Sequence, residues 1–236
     1  PWDGASFKVH DLKLSSSDLN LRLQAEGKNL AKPEAEVEAD GTLSLKSLLN
    51  LFDPGPLEVQ RGIMSARGLS FYVQKEAEWG LSRLNGELLL EQILLKIDDH
   101  KIKAEATKIE LNNEGLVMVP TEGSFNGDAF RLGLRIPSLR KSMAERRIPL
   151  AGELKMEALA YGELKQLITA FQSEKNDSTD TSGEKEPWKV GGQLLVDLET
   201  FWYDKIGFSD CTVDLEFDKN QIDFFFETSA FEGSFK

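Results

Sequence analysis

The chain has 236 residues, 40% of them apolar and 29% charged, a composition ordinary for a folded protein and long enough to bury a sizeable core. Its formal net charge of −12 argues against a nucleic-acid partner, because a polyanion is repelled, and disfavours a broad electrostatic landing on anionic lipid. The single cysteine, Cys211, excludes an internal disulfide and reads as a small buried hydrophobe at the start of a strand.

In chain order, the opening Pro1-Trp2-Asp3 reads as an interior start, so the chain is taken as an excised segment. Leu19, Leu21, Leu23 and Ala25 then alternate with polar residues, as do Ala35, Val37 and Ala39. A two-residue period places successive side chains on opposite faces of a strand, so each stretch predicts a one-sided β-strand. Gly41, Leu43 and Leu45 continue the alternation into a short helical pattern of Leu48, Leu49 and Phe52, stopped by Asp53-Pro54-Gly55. Strands follow at Leu69, Phe71 and Val73, at Gly86, Leu88 and Leu90, at Ile102, Ala104 and Ala106, and at Leu132, Leu134 and Ile136. Turns separate them at Asp98-Asp99-His100, Asn112 to Gly115 and Asn126-Gly127-Asp128.

A second short helix is predicted around Leu139 and Met143, between Pro137 and Pro149, and a strand from Gly152 through Leu154 and Met156. Leu164, Leu167, Ile168 and Phe171 fit the i, i+3, i+4, i+7 template of a third helix. Residues 173 to 187, SEKNDSTDTSGEKEP, contain no aliphatic or aromatic side chain and read as a flexible loop. Alternation resumes at Gly192, Leu194, Val196 and Leu198. It ends in a hairpin in which Val213, Leu215 and Phe217 face Ile222, Phe224 and Phe226 across the turn Lys219-Asn220.

These patterns define a mainly β chain, an elongated and curved antiparallel sheet with a few short helices. Residues 1–172 form a groove segment, 173–187 a linker, and 188–236 a closing repeat continuous with the first sheet. Strands of a parallel sheet, buried on both faces, would be apolar nearly throughout, and these are not. The helices are long enough to plug an end or an edge but not to roof such a sheet. Two arrangements remain open: a sandwich or barrel in which two such sheets face each other, and a long curved sheet whose apolar face forms a groove.

No nucleophile, base or metal cluster stands out. His10 and His100 lie far apart, and Asp98-Asp99-His100 reads as a polar turn before it reads as a metal corner. No phosphate loop, serine elbow or zinc-binding helix motif occurs, so no catalytic residue, metal ligand or cofactor is assigned. Arg140, Lys141, Arg146 and Arg147 form a basic cluster within the acidic chain. It reads as the solvated face of the second helix, or alternatively as a contact for phosphate head groups or an acidic partner.

The stretch from Leu195 to Leu198, the run Ile206 to Asp210, the hairpin and the ending Phe231-Glu232-Gly233-Ser234-Phe235 resemble, in that order, the C-terminal repeat of AsmA-like proteins. Where that repeat usually carries a pair of glycines, this chain has Glu232-Gly233. Residues 36 to 52 are similar to the family's Gly-x-Leu-x-Leu strand running into a Leu-rich helix. The resemblance is carried by residues 190 to 236 and elsewhere by texture. It implies a non-catalytic envelope protein of Gram-negative bacteria, projecting a taco-shaped β structure into the periplasm from an inner-membrane anchor outside this chain. It is similar in architecture to bridge-like lipid transfer proteins. The implied partners are phospholipid acyl chains, lying on Leu194, Val196, Leu198, Val213, Leu215, Phe217, Ile222, Phe224 and Phe226, and the implied role is transport of phospholipid between the membranes. An assembly module for outer-membrane proteins, binding through exposed sheet edges, is the alternative.

Overall fold

The computed structural model describes residues 5–28, 34–49, 56–75, 79–113, 115–138, 142, 147–173, 189–218 and 221–232. The strands are β1 (Ser6–Ser15), β2 (Leu19–Lys28), β3 (Glu34–Ser44), β4 (Leu57–Lys75), β5 (Trp79–Ile97) and β6 (His100–Asn112). They continue with β7 (Gly115–Phe125), β8 (Asp128–Pro137), β9 (Arg147–Ala160), β10 (Lys189–Tyr203), β11 (Ile206–Asp218) and β12 (Gln221–Glu232). Among the described residues two helices interrupt them, α1 (Leu45–Leu49) after β3 and α2 (Tyr161–Ser173) after β9.

All 12 strands belong to one sheet, each beside its sequence neighbour, in the order β1 to β12. The chain is thus mainly β, a long curved open sheet with two described helices. A sandwich of two sheets is not what forms. At about 4.8 Å per strand the sheet is about 53 Å wide along its hydrogen-bonding direction.

One junction departs from the predicted antiparallel order. Strand β10 runs parallel to β9, with Val196 beside Leu154 and Leu198 beside Met156. A parallel pair needs a crossover of a dozen or more residues to bring the chain back to the same end. Helix α2 and the residues up to 188 supply that length. The alternation within each strand is blind to this, because β9 and β10 look the same in either direction. The linker assigned to 173–187 lies, beyond Ser173, outside the described residues. The single sheet runs through the boundary, with β10 hydrogen-bonded to β9.

The third predicted helix appears as α2, and the first as α1, which is described as far as Leu49. Most of the second lies outside the described residues. Within it Ser142 donates its N–H to the Ser138 carbonyl at 3.0 Å, the i to i−4 bond of a helical turn.

Curvature has a local cause. Gln92 (φ 54°) and Gly68 (φ 55°) sit in the left-handed region, beside register shifts in the β4–β5 ladder. A β-bulge bends its strand and sharpens the twist. Each bulge also advances the alternation by one. In β5 the apolar positions are therefore Leu88 and Leu90 before Gln92, but Ile93, Leu95 and Ile97 after it.

The recurrent Gly-led strands share a related device. Gly41, Gly86 and Gly192 have φ of 158°, 139° and 149°. At Gly192 a methyl group would also run into the Leu150 carbonyl oxygen of β9, at the parallel junction. Replacing Gly192 with Ala is expected to cost about 1–3 kcal/mol through backbone strain alone, read as a lower urea midpoint at unchanged m-value. Gly133→Ala, where the added methyl meets Pro120 at an ordinary 3.5 Å, is expected to change the midpoint little.

Candidate functional site

Register carries one apolar face across the sheet. Leu14 faces Leu21, Leu23 faces Ala39, Val37 faces Phe71, and Phe71 faces Leu84. Further on Leu111 faces Leu116, Met118 faces Leu134, Leu194 faces Leu215, and Leu215 faces Phe224. The opposite face is polar and tied across strands by ion pairs. Lys108 bonds Glu87 at 2.7 Å and Glu110 at 3.0 Å, and Lys155 approaches Asp197 at 3.3 Å. The hydrogen bonds that the Lys108 ammonium donates to Glu87 and then Glu110 hold it above its usual pKa. At such exposure these pairs order the surface more than they stabilise it.

Both helices lie on the apolar face at the same rim, where β5–β6, β7–β8 and β10–β11 make their turns. Leu45 of α1 packs with Val59 and Ile93, and a side chain at Gly62 would come within 2.9 Å of Leu45 Cδ2. Leu164 and Leu167 of α2 pack on a core of Phe125, Met156, Leu159, Val196, Leu198 and Cys211.

A polar latch fixes α2 to the rim. Its first turn is held by the Ala160 N–H, which donates to Glu163 Oε2 at 3.1 Å. The Lys101 N–H donates to Asn126 Oδ1 at 3.0 Å, which orients the amide. Asn126 Nδ2 then donates to Glu163 Oε1 at 2.7 Å and to His100 Nδ1 at 2.8 Å. His100 Nε2 is left to donate to Gln166 Oε1 at 2.9 Å. Both ring nitrogens of His100 are therefore engaged, and the ring stacks on Phe125.

The Asp98-Asp99 turn is where the sequence reading placed it, but His100 itself is buried as an anchor for α2. Cys211 is buried, at 1% exposure, as expected. It lies inside β11 rather than at a strand start, because β11 begins at Ile206 and runs through the left-handed Asp210 (φ 50°).

Away from this rim, among the described residues, no element crosses the apolar face. Val37, Phe71, Met118, Leu134, Leu194, Leu215 and Phe217 are half-buried there, and Phe226 is 39% exposed. A strip of that face four residues deep covers about 700 Å², more than the largest apolar patch of a typical monomer.

The nine residues assigned to the groove therefore divide. Val196 and Leu198 are enclosed in the core that α2 caps, at 6% and 3% exposure, and are closed to a ligand. Leu194, Val213 and Leu215 border that core and Phe217 lies beyond it, all on the same face. Ile222 and Phe224 take the register positions opposite Phe217 and Leu215, and their side chains lie outside the described residues. Of the basic cluster, Arg140, Lys141 and Arg146 lie outside the described residues, and Arg147 is exposed at the first position of β9.

The sequence reading missed four contributors. Phe201 and Phe208 pair with each other and meet Phe226 at ring distances of 5.8 and 5.9 Å, although both are out of step with the alternation of Leu194, Val196 and Leu198. The left-handed Asp210 marks that change of phase in β11. Thr107 and Thr121 are buried within the apolar face, where the Thr121 hydroxyl donates to the Val119 carbonyl at 2.9 Å and is left to accept from Thr107. Only the positive-φ site at Asp210, an Asp flanked by alternating residues, carried a signal in the sequence.

No protein-family model, curated protein or solved structure matches this chain.

The division of the face into a capped and an uncapped part gives a differential prediction. Leu198→Ala is expected to cost about 2–5 kcal/mol, as for a fully enclosed leucine. Leu215→Ala is expected to cost less than half as much, because part of its surface already contacts solvent. Urea denaturation of the two variants checks this, and equal losses would mean that the face is covered throughout.

Proposed function

We propose that this chain is a non-catalytic lipid carrier of AsmA-like type, in which phospholipid acyl chains lie along the uncapped part of the apolar face. One observation supports the reading above the others: a single apolar face runs across 12 strands, and the described helices cover it at one rim only. Apolar surface of this extent is costly in water, at about 25 cal/mol per Å², and acyl chains would remove it from water without any specific chemistry. The polar face, with its cross-strand ion pairs, would stay in solvent. Head groups would remain at the open seam, so discrimination among phospholipids should be poor.

In this reading the segment stands in the periplasm of a Gram-negative envelope, tethered to the inner membrane, and serves phospholipid traffic between the two membranes and the upkeep of the outer one. A second reading is favoured by the open edges. Among the described residues β1 pairs only with β2, and β12 only with β11, so each edge could accept an added strand from an outer-membrane protein or another envelope partner.

The two readings separate experimentally. Native mass spectrometry of the gently purified chain is expected to show co-purifying phospholipid, and Leu215→Glu to remove it. Strand addition relies on the backbone and should survive that substitution. Lipid-free protein that also fails to take up a fluorescent phospholipid would refute the carrier reading. Partner binding lost with lipid loading intact would favour assembly.

A further inference from the structure

The polar face carries a depression that the groove reading does not use. It has a volume of about 720 Å³ and lies over β7 to β10, centred on Gly133. Arg131 and Arg135 flank Gly133 on β8, two residues away on either side, so all three share one face. Lys155 of β9 stands directly opposite Arg131, and Glu153 opposite Gly133. The two arginine Cα atoms are about 13 Å apart, a separation that two extended guanidinium arms bridge over the glycine between them.

Three cations thus border the depression against one carboxylate, in a chain whose net charge is −12. Lys155 is engaged by Asp197 at 3.3 Å. Arg131 and Arg135 form no ion pair among the described residues. The walls are apolar: Val117 and Pro120 on one side and Leu195 on the other. Val117 is 37% exposed, on a face where alternation otherwise places polar residues.

We propose that this depression binds an organic phosphate, its anionic group held by Arg131 and Arg135 and its apolar part lying on Val117 and Leu195. The planar guanidinium fork matches phosphate oxygens in bidentate fashion, which favours arginine over lysine for this role. Glu153 faces the same space and disfavours a ligand that would fill it with negative charge throughout, so the site suits one anionic group joined to an apolar body. The missing side chain at Gly133 leaves the floor open. The proposal stands on the face opposite the groove and does not rest on the lipid-carrier reading.

Calorimetric titration of the intact chain tests it, with phenyl phosphate and inorganic phosphate as probes. Phenyl phosphate is expected to bind more tightly than inorganic phosphate. The double variant Arg131→Ala/Arg135→Ala should weaken it by about tenfold or more, the effect of losing charge-assisted hydrogen bonds. Gly133→Val, whose first added carbon meets Pro120 at an ordinary distance, should block the floor while the fold persists. Lys8→Ala, which removes an exposed cation on β1 far from the depression, should leave binding unchanged. Sedimentation with phosphatidylglycerol vesicles, and with phosphatidylcholine vesicles as control, separates the two sources of the phosphate. Capture of the anionic vesicles that the double variant loses assigns the site to a lipid head group, and binding of phenyl phosphate alone assigns it to a soluble ester. Absence of phenyl phosphate binding, or binding that the arginine variant leaves intact, overturns the proposal.

Discussion

The constraint on which the rest depends is the mismatch between one continuous apolar face and the little structure available to cover it. Twelve strands keep their apolar side chains in phase across the ladder, from Leu14 beside Leu21 to Leu194 beside Leu215. A sheet of this width normally closes into a barrel or meets a second sheet. Here the strand order leaves β1 and β12 unpaired with each other, and the sheet stays open. Two helices bury one rim and form compact cores there. Among the described residues nothing else covers the face, and its remaining apolar side chains are half-buried or exposed.

Conserving the phase of that face over strands as long as the 19 residues of β4 and β5 is a second demand. Bulges would flip the pattern, and the residues answer each one. After Gln92 the apolar positions move from even to odd numbers, and β4 makes its own shifts opposite. The same bulges bend the strands, so curvature and phase are settled together. The latch of Asn126, His100, Glu163 and Gln166 then ties α2 to two turns of the rim with no buried polar side-chain atom left unpaired among the described residues.

Much of this was legible in the residues. Alternation located the strands, and the Asp98-Asp99 and Asn126-Gly127 turns separated neighbours in their spatial order. The i, i+3, i+4, i+7 set from Leu164 to Phe171 marked α2. Direction was not legible at β9–β10, since a strand's pattern reads alike both ways and only the length of the crossover distinguishes them. Nor was the burial of Val196 and Leu198, because the helix that caps them precedes them by many residues and reaches them only through the fold. Phe201 and Phe208 stayed hidden because a phase shift at one left-handed residue moves a side chain to the other face, and period-two reasoning assumes no such shift. The cationic depression was invisible for a related reason: Arg131 and Arg135 of β8 meet Lys155 of β9 only through register.

Photo-crosslinking tests the central claim most directly, namely that the uncapped apolar face holds acyl chains. A photoreactive residue placed singly at Val213 or Leu215, and at their outward neighbours Asp214 and Glu216, reports which side of β11 touches lipid when the chain is incubated with phospholipid vesicles. The account predicts lipid adducts from Val213 and Leu215 and none above background from Asp214 and Glu216. Adducts of equal yield from both faces, or from neither, would contradict it.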